Sequence, residues 1–78
     1  MNVEKIAVVD SVTAEDLRKM ADDAMIVMFA PDFKTVVSTR NLVSYVRKAY
    51  PLEKGNYATT AIPLSKGKYG LKIYIEKT

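Results

Sequence analysis

The residue types that most often carry out catalysis or bind metal ions are scarce in this chain. It contains neither histidine nor cysteine among its 78 residues. General base or nucleophile chemistry would therefore depend on carboxylates, lysine, tyrosine, serine or threonine. A zinc site would need carboxylates alone, which is an uncommon ligand set. We expect no metal site, no cofactor and no enzymatic activity.

Asp10 and Asp32 are the two carboxylates whose positions come closest to a catalytic pattern. Each follows an apolar segment that we predict to be a strand. In the topology predicted below these strands lie two positions apart, so the two carboxylates are about 10 Å apart and cannot share a small cation. No glycine occurs in residues 10–13, which argues against a phosphate-binding loop. Both aspartates are more simply explained as turn residues. An enzyme that uses Asp10 is therefore the interpretation that we rank third, after a protein-binding module and a nucleic-acid-binding protein.

Basic residues are concentrated in the second part of the chain. Residues 1–30 hold six acids and three bases, whereas residues 31–78 hold three acids and nine bases. Lysine beside tyrosine on an open sheet face is a combination that follows a phosphate backbone and stacks bases. A surface that only keeps the protein soluble is the alternative. The residues predicted to contact nucleic acid are Arg40, Arg47, Lys48, Lys66, Lys68, Tyr69 and Lys72.

The longest apolar run, residues 24–30, sets the position of the other elements. It has seven apolar residues without a polar interruption. A membrane-spanning helix needs about 20 apolar residues, so this run predicts no membrane span. Pro31 follows it, and its length suits a strand that is shielded from water on both faces.

Hydrophobic periodicity and turn residues predict seven elements around this run. Thr13 and Asp16 have the spacing of a capping box at the start of the first helix, and Pro51 ends the second helix. The β-branched residues 35–37 predict a strand, with a helix beginning at Asp32 as the competing interpretation. Pro63 favours a sheet edge. The predicted elements are strand 3–10, helix 13 to about 22–23, strand 25–30, strand 33–37, helix 38 or 39 to about 50, strand 57–64 and strand 71–76.

This order predicts a single α+β domain over residues 1–78. It is a two-layer sandwich, a ferredoxin-like β-α-β-β-α-β pattern with an added C-terminal strand. Its mixed, largely antiparallel sheet carries the helices on one face. Such a fold hosts many functions and does not identify one.

The predicted topology places the strand at 25–30 on the sheet edge, although it is the most apolar segment. Edge strands normally carry charge or proline, which block pairing with other chains. We therefore expect a second copy to cover this strand, by edge pairing or by packing of open sheet faces. The residues predicted to form this protein interface are Met25, Val27, Phe29 and Tyr74.

Small size also favours a partner. A domain of this length buries only about 60% of the surface that its unfolded chain exposes, and without cysteine it has no disulfide to stabilise it. We therefore expect a homodimeric, non-enzymatic protein-binding module of the adaptor or inhibitor kind, with nucleic-acid binding as the alternative. Glu4 and Lys5 interrupt the first residues, so we expect no signal peptide, no membrane association and a cytoplasmic location.

Overall fold

The apolar run that dominates the sequence forms one strand of a four-stranded mixed sheet. The computed structural model describes residues 6–21, 23–53 and 55–77. Two helices accompany the sheet, so the architecture is α+β in two layers. The elements in chain order are β1 (Ile6–Val9), α1 (Ala14–Arg18), β2 (Met25–Ala30), α2 (Phe33–Ala49), β3 (Asn56–Pro63), a 3-10 turn (Ser65–Gly67) and β4 (Tyr69–Glu76).

The strands lie side by side in the order β1-β2-β4-β3. β1 is parallel to β2, and β4 is antiparallel to both β2 and β3. The predicted ferredoxin-like arrangement is not confirmed, because a helix takes the place of its third strand. The prediction that residues 25–30 form an edge strand is wrong, since β2 pairs with β1 on one side and β4 on the other. This internal position explains why β2 carries none of the charge or proline that protects an edge strand.

The first helix begins as the sequence predicts and ends earlier. The backbone N–H of Thr13 donates to Asp16 Oδ2 at 2.9 Å, and the Asp16 N–H donates to Thr13 Oγ1 at 3.2 Å. This reciprocal capping box confirms the predicted start. The Met20 N–H donates to the Leu17 carbonyl three residues back, so the backbone tightens and the helix ends after Arg18. The predicted last turn reaches Asp22, which lies outside the described residues.

The second helix is longer than predicted. It begins at Phe33, so the predicted strand over residues 33–37 is wrong and the competing helix from Asp32 is confirmed. Asp32 caps it, and Val36 is fully buried in the core, where its packing outweighs the weak helix propensity of β-branched residues. The helix ends before Tyr50 and Pro51, as predicted.

The core lies between the helices and one face of the sheet. The predicted strands 57–64 and 71–76 appear as β3 and β4, and Pro63 is the last residue of an edge strand, as expected. Strand one was predicted over 3–10 and is seen as β1; residues 3–5 lie outside the described residues. The fully buried large side chains are Leu17, Met28, Val36, Val46, Leu71 and Ile73.

Replacing Asp32 with alanine is expected to lower the melting temperature by about 4–8 °C, a typical loss for a capping side chain in a small domain. The backbone N–H and the hydroxyl of Thr35 both donate to Asp32 Oδ1 at 2.8 Å. These bonds hold the pKa of the Asp32 carboxyl below its ordinary value. The stabilisation is therefore present above the unfolded pKa, about 4, and is lost as the pH falls through the folded value.

Thermal unfolding followed by circular dichroism between pH 2.5 and pH 7 tests this prediction. Asp32→Asn is the matched control, because asparagine caps a helix about as well as aspartate but does not titrate. We expect it to keep the melting temperature at pH 7 and to reduce its fall at acidic pH. A wild-type-like Asp32→Ala variant would contradict the capping role.

Candidate functional site

The face of the sheet that points away from the helices is exposed and mostly apolar. Side chains alternate along a strand, and directly paired residues of neighbouring strands point to the same side. Ile26 and Met28 of β2 face the helices, as do their partners on β4, so the residues between them face outward. We call this outward side the open face. Its large apolar or β-branched side chains are Ile6, Val8, Met25, Val27, Phe29, Thr60, Ile62 and Tyr74, and its charged side chains are Lys72 and Glu76.

Several apolar side chains of the open face are strongly exposed. Val8 is 62% exposed, and Ile6 and Phe29 are each 49% exposed. Four strands at about 4.8 Å spacing, over the six residues of β2, span a footprint of about 400 Å². Exposed apolar side chains that are grouped on one face of a protein often mark an interaction site.

The four residues predicted from the sequence to form a protein interface all lie on the open face. Met25 is paired directly with Tyr74, and Val27 and Phe29 follow Met25 on the same side of β2. The Tyr74 hydroxyl lies 3.3 Å from Thr60 Oγ1, which ties it to β3. The structure thus brings the four residues together, although the edge position that motivated the choice is wrong.

Two charged residues of β4 interrupt this apolar surface. Lys72 lies mid-sheet between Val27 of β2 and Thr60 of β3. Glu76 lies on the same side of β4, four residues or about 13 Å further along. Within residues 6–21, 23–53 and 55–77, neither forms an ion pair. If another molecule covers the open face, a carboxylate that approaches Lys72 offsets part of the cost of burying its charge.

The basic residues predicted to bind nucleic acid are divided among three places. Arg40, Arg47 and Lys48 lie on α2, on the helical layer. Lys66 and Lys68 lie at the hairpin turn, and Lys72 is on the open face.

Tyr69, the aromatic residue of this set, lies on the opposite side of β4 from Lys72. It lies on the helical side of β4, with its ring in edge-to-face contact with Phe33 at 5.4 Å between centroids. The predicted continuous face of lysine and tyrosine is therefore wrong for Tyr69. Nucleic-acid binding stays a prediction, and it depends on lysine and arginine side chains that lie in separate groups on the surface.

Asp10 and Asp32 follow adjacent strands, not strands two positions apart, which corrects the predicted separation. Asp32 is occupied as the cap of α2, and Asp10 is an exposed residue after β1. In the part of the chain that the structure describes, no group of three acidic side chains is placed to hold a metal ion.

A cleft between α2 and the edge strand β3 was missed by sequence reasoning. Its volume is about 260 Å³. Arg40 and Arg47 lie seven residues apart and share the helix face that lines the cleft. Their spacing in the sequence predicts a shared helix face, but it does not predict which strand lies beside that face. The remaining lining residues are Val43, Ser44, Asn56, Tyr57, Ala58, Thr59 and Glu76.

Comparison of the chain with protein-family models, curated proteins and solved structures finds no match. None of the helices that the structure describes has the length and apolar character needed to cross a membrane.

Proposed function

We propose that this protein is a non-enzymatic protein-binding module of the adaptor or inhibitor kind that acts as a homodimer, with two copies packed through their open faces. The observation that carries this proposal is the exposed apolar open face, on which Ile6, Val8 and Phe29 are 49–62% exposed. Packing two such faces buries the patch from both copies and supplies the hydrophobic area that a small domain lacks.

The charges of the open face favour a second copy as the occupant. In this arrangement the two-fold axis lies between the two sheets, perpendicular to β4 and level with Tyr74. The two β4 strands then lie over each other and run antiparallel. Lys72 of one copy then lies over Glu76 of the other, twice in the dimer, because the two residues are equally spaced about Tyr74. Each charge in the apolar interface gains a partner of opposite sign.

Charge reversal tests this arrangement by sedimentation equilibrium at micromolar concentration. We expect a wild-type dimer, and we expect Lys72→Glu or Glu76→Lys alone to weaken association by about tenfold or more, because like charges then meet across the interface. The Lys72→Glu/Glu76→Lys double variant should recover most of the association.

Lys48→Glu is the matched control, since it makes the same charge change on the exposed surface of α2. It should leave the association unchanged. A wild-type protein that is monomeric throughout the micromolar range would contradict the homodimer. A double variant no better than the single variants would contradict the pairing of Lys72 with Glu76.

A further inference from the structure

The outer edge of β3 is a template for another strand. β3 is the terminal strand of the sheet and pairs only with β4 among the described residues. Natural edge strands are commonly protected by charged side chains, proline or bulges. The eight residues of β3 carry no charge, and Pro63 stands only at the end. The backbone N–H and C=O groups that point away from β4 have no partner strand among the described residues.

Beside this edge, α2 presents two guanidinium groups. Arg40 and Arg47 lie seven residues apart on one helix face, about 10.5 Å along the axis, with Val43 and Ser44 between them on the wall of the cleft. Within the described ranges, neither arginine forms an ion pair. Glu76 lines the cleft as well and contributes one negative charge.

We propose that the α2–β3 cleft binds an extended acidic peptide, which adds to the sheet as a strand beside β3. Main-chain hydrogen bonds to β3 provide the affinity, as in other cases of strand addition. Alternate side chains of the added strand face α2 at a repeat of about 6.7 Å, so carboxylates at every second position come within reach of the long side chains of Arg40 and Arg47.

The charges select this partner over a second copy of the same edge. β3 contains no acidic residue, so pairing two β3 strands places no carboxylate of either strand opposite the arginines. Apart from Glu76, which borders both surfaces, the cleft uses α2 and the sheet edge, whereas the proposed dimer uses the open face. Variants of Lys72 therefore test the dimer, and variants of Arg40 and Arg47 test the cleft, without affecting the other surface.

The test uses the full chain and a fluorescein-labelled, acetylated hexapeptide of alternating glutamate and valine or threonine, Glu-Val-Glu-Thr-Glu-Val. We expect saturable binding by fluorescence anisotropy, with amide shifts in nitrogen–proton NMR spectra concentrated on β3. Arg40→Ala and Arg47→Ala should each weaken binding by about three- to fivefold, as for partly exposed ion pairs. Lys48→Ala, an exposed base of α2 outside the cleft, should leave binding unchanged.

Backbone chemistry separates strand addition from simple charge attraction. The same peptide with N-methyl groups at alternate residues keeps its carboxylates but loses the main-chain donors on one edge. We expect binding to fall at least tenfold when the methylated residues are those whose N–H groups face β3. A peptide with lysine in place of glutamate should not bind. The proposal is overturned if the acidic peptide does not bind at 1 mM, or if binding is indifferent to N-methylation or to both arginine variants.

Discussion

Replacing Leu71 with alanine is expected to lower the free energy of unfolding by about 2–5 kcal/mol. Leu71 is fully buried on β4, where it is paired with Met28 of β2 and Ala61 of β3. The substitution removes the packing of a whole isobutyl group and leaves a cavity between the sheet and the helices. At about 0.05–0.15 kcal/mol per residue, a chain of 78 residues has only about 4–12 kcal/mol of stability to lose.

Urea unfolding followed by circular dichroism measures this loss. Leu64→Ala is the matched control, because Leu64 is 44% exposed, and surface substitutions usually change stability by about 0.5 kcal/mol or less. Leu71→Met, which nearly conserves volume, should cost less than about 1.5 kcal/mol. Equal destabilisation by Leu71→Ala and Leu64→Ala would show that β4 is not the centre of the core.

Replacing Tyr57 with alanine is expected to cost about 3–5 kcal/mol, as for other large buried aromatic residues. Tyr57 is buried on the helical side of β3, and its hydroxyl donates to the Leu17 carbonyl at 2.9 Å. The Leu17 carbonyl also accepts from the Met20 N–H, so the Tyr57 bond is its second and joins α1 to β3. Tyr57→Phe keeps the ring and should cost about 1 kcal/mol, the usual net value of a hydrogen bond.

Tyr57 also predicts a loss of stability at alkaline pH. Burial raises the pKa of its phenol, and the positive charge of Arg18 opposes this only in part. A raised folded pKa means that the folded state holds the proton more tightly than the unfolded chain does. The stabilisation is complete below the unfolded pKa, about 10, and is lost as the pH rises through the folded value.

Urea unfolding of the wild type and of Tyr57→Phe between pH 8 and pH 11 separates this contribution from other groups that titrate there. We expect the wild type to lose more stability over this range than Tyr57→Phe, so that the difference between them narrows. A constant difference over the whole range would contradict the preferential protonation of Tyr57 in the folded state.

The local signals in the sequence were reliable where one short-range interaction decides the structure. The capping box of Thr13 and Asp16 needs only residues three apart, and the structure contains it. Pro51 follows the end of α2, and the alternation of Leu71, Ile73 and their neighbours marks β4. Patterns of this kind act through the backbone of the same segment, so they can be read without knowing what packs against it.

The segment at 33–37 shows where local reading fails. Three consecutive β-branched residues favour a strand by propensity, yet the segment is the first turn and a half of α2. Asp32 supplies the cap, and burial of Val36 against the core outweighs a helix penalty of a few tenths of a kcal/mol per residue. Because this one segment was misassigned, the predicted sheet gained a strand and β2 was placed at an edge.

By itself, the sequence determined the element types over most of the chain, the apolar character of β2, and the parity that sets Met25, Val27 and Phe29 on one face. These properties follow from residue spacing along a single strand or helix. Only the tertiary structure decided that β2 is internal, that β4 already begins at Tyr69, and that Arg40 and Arg47 border the edge of β3. The order of the strands depends on the packing free energy of many contacts between residues that are distant in the chain. No local sequence pattern encodes the sum of those contacts.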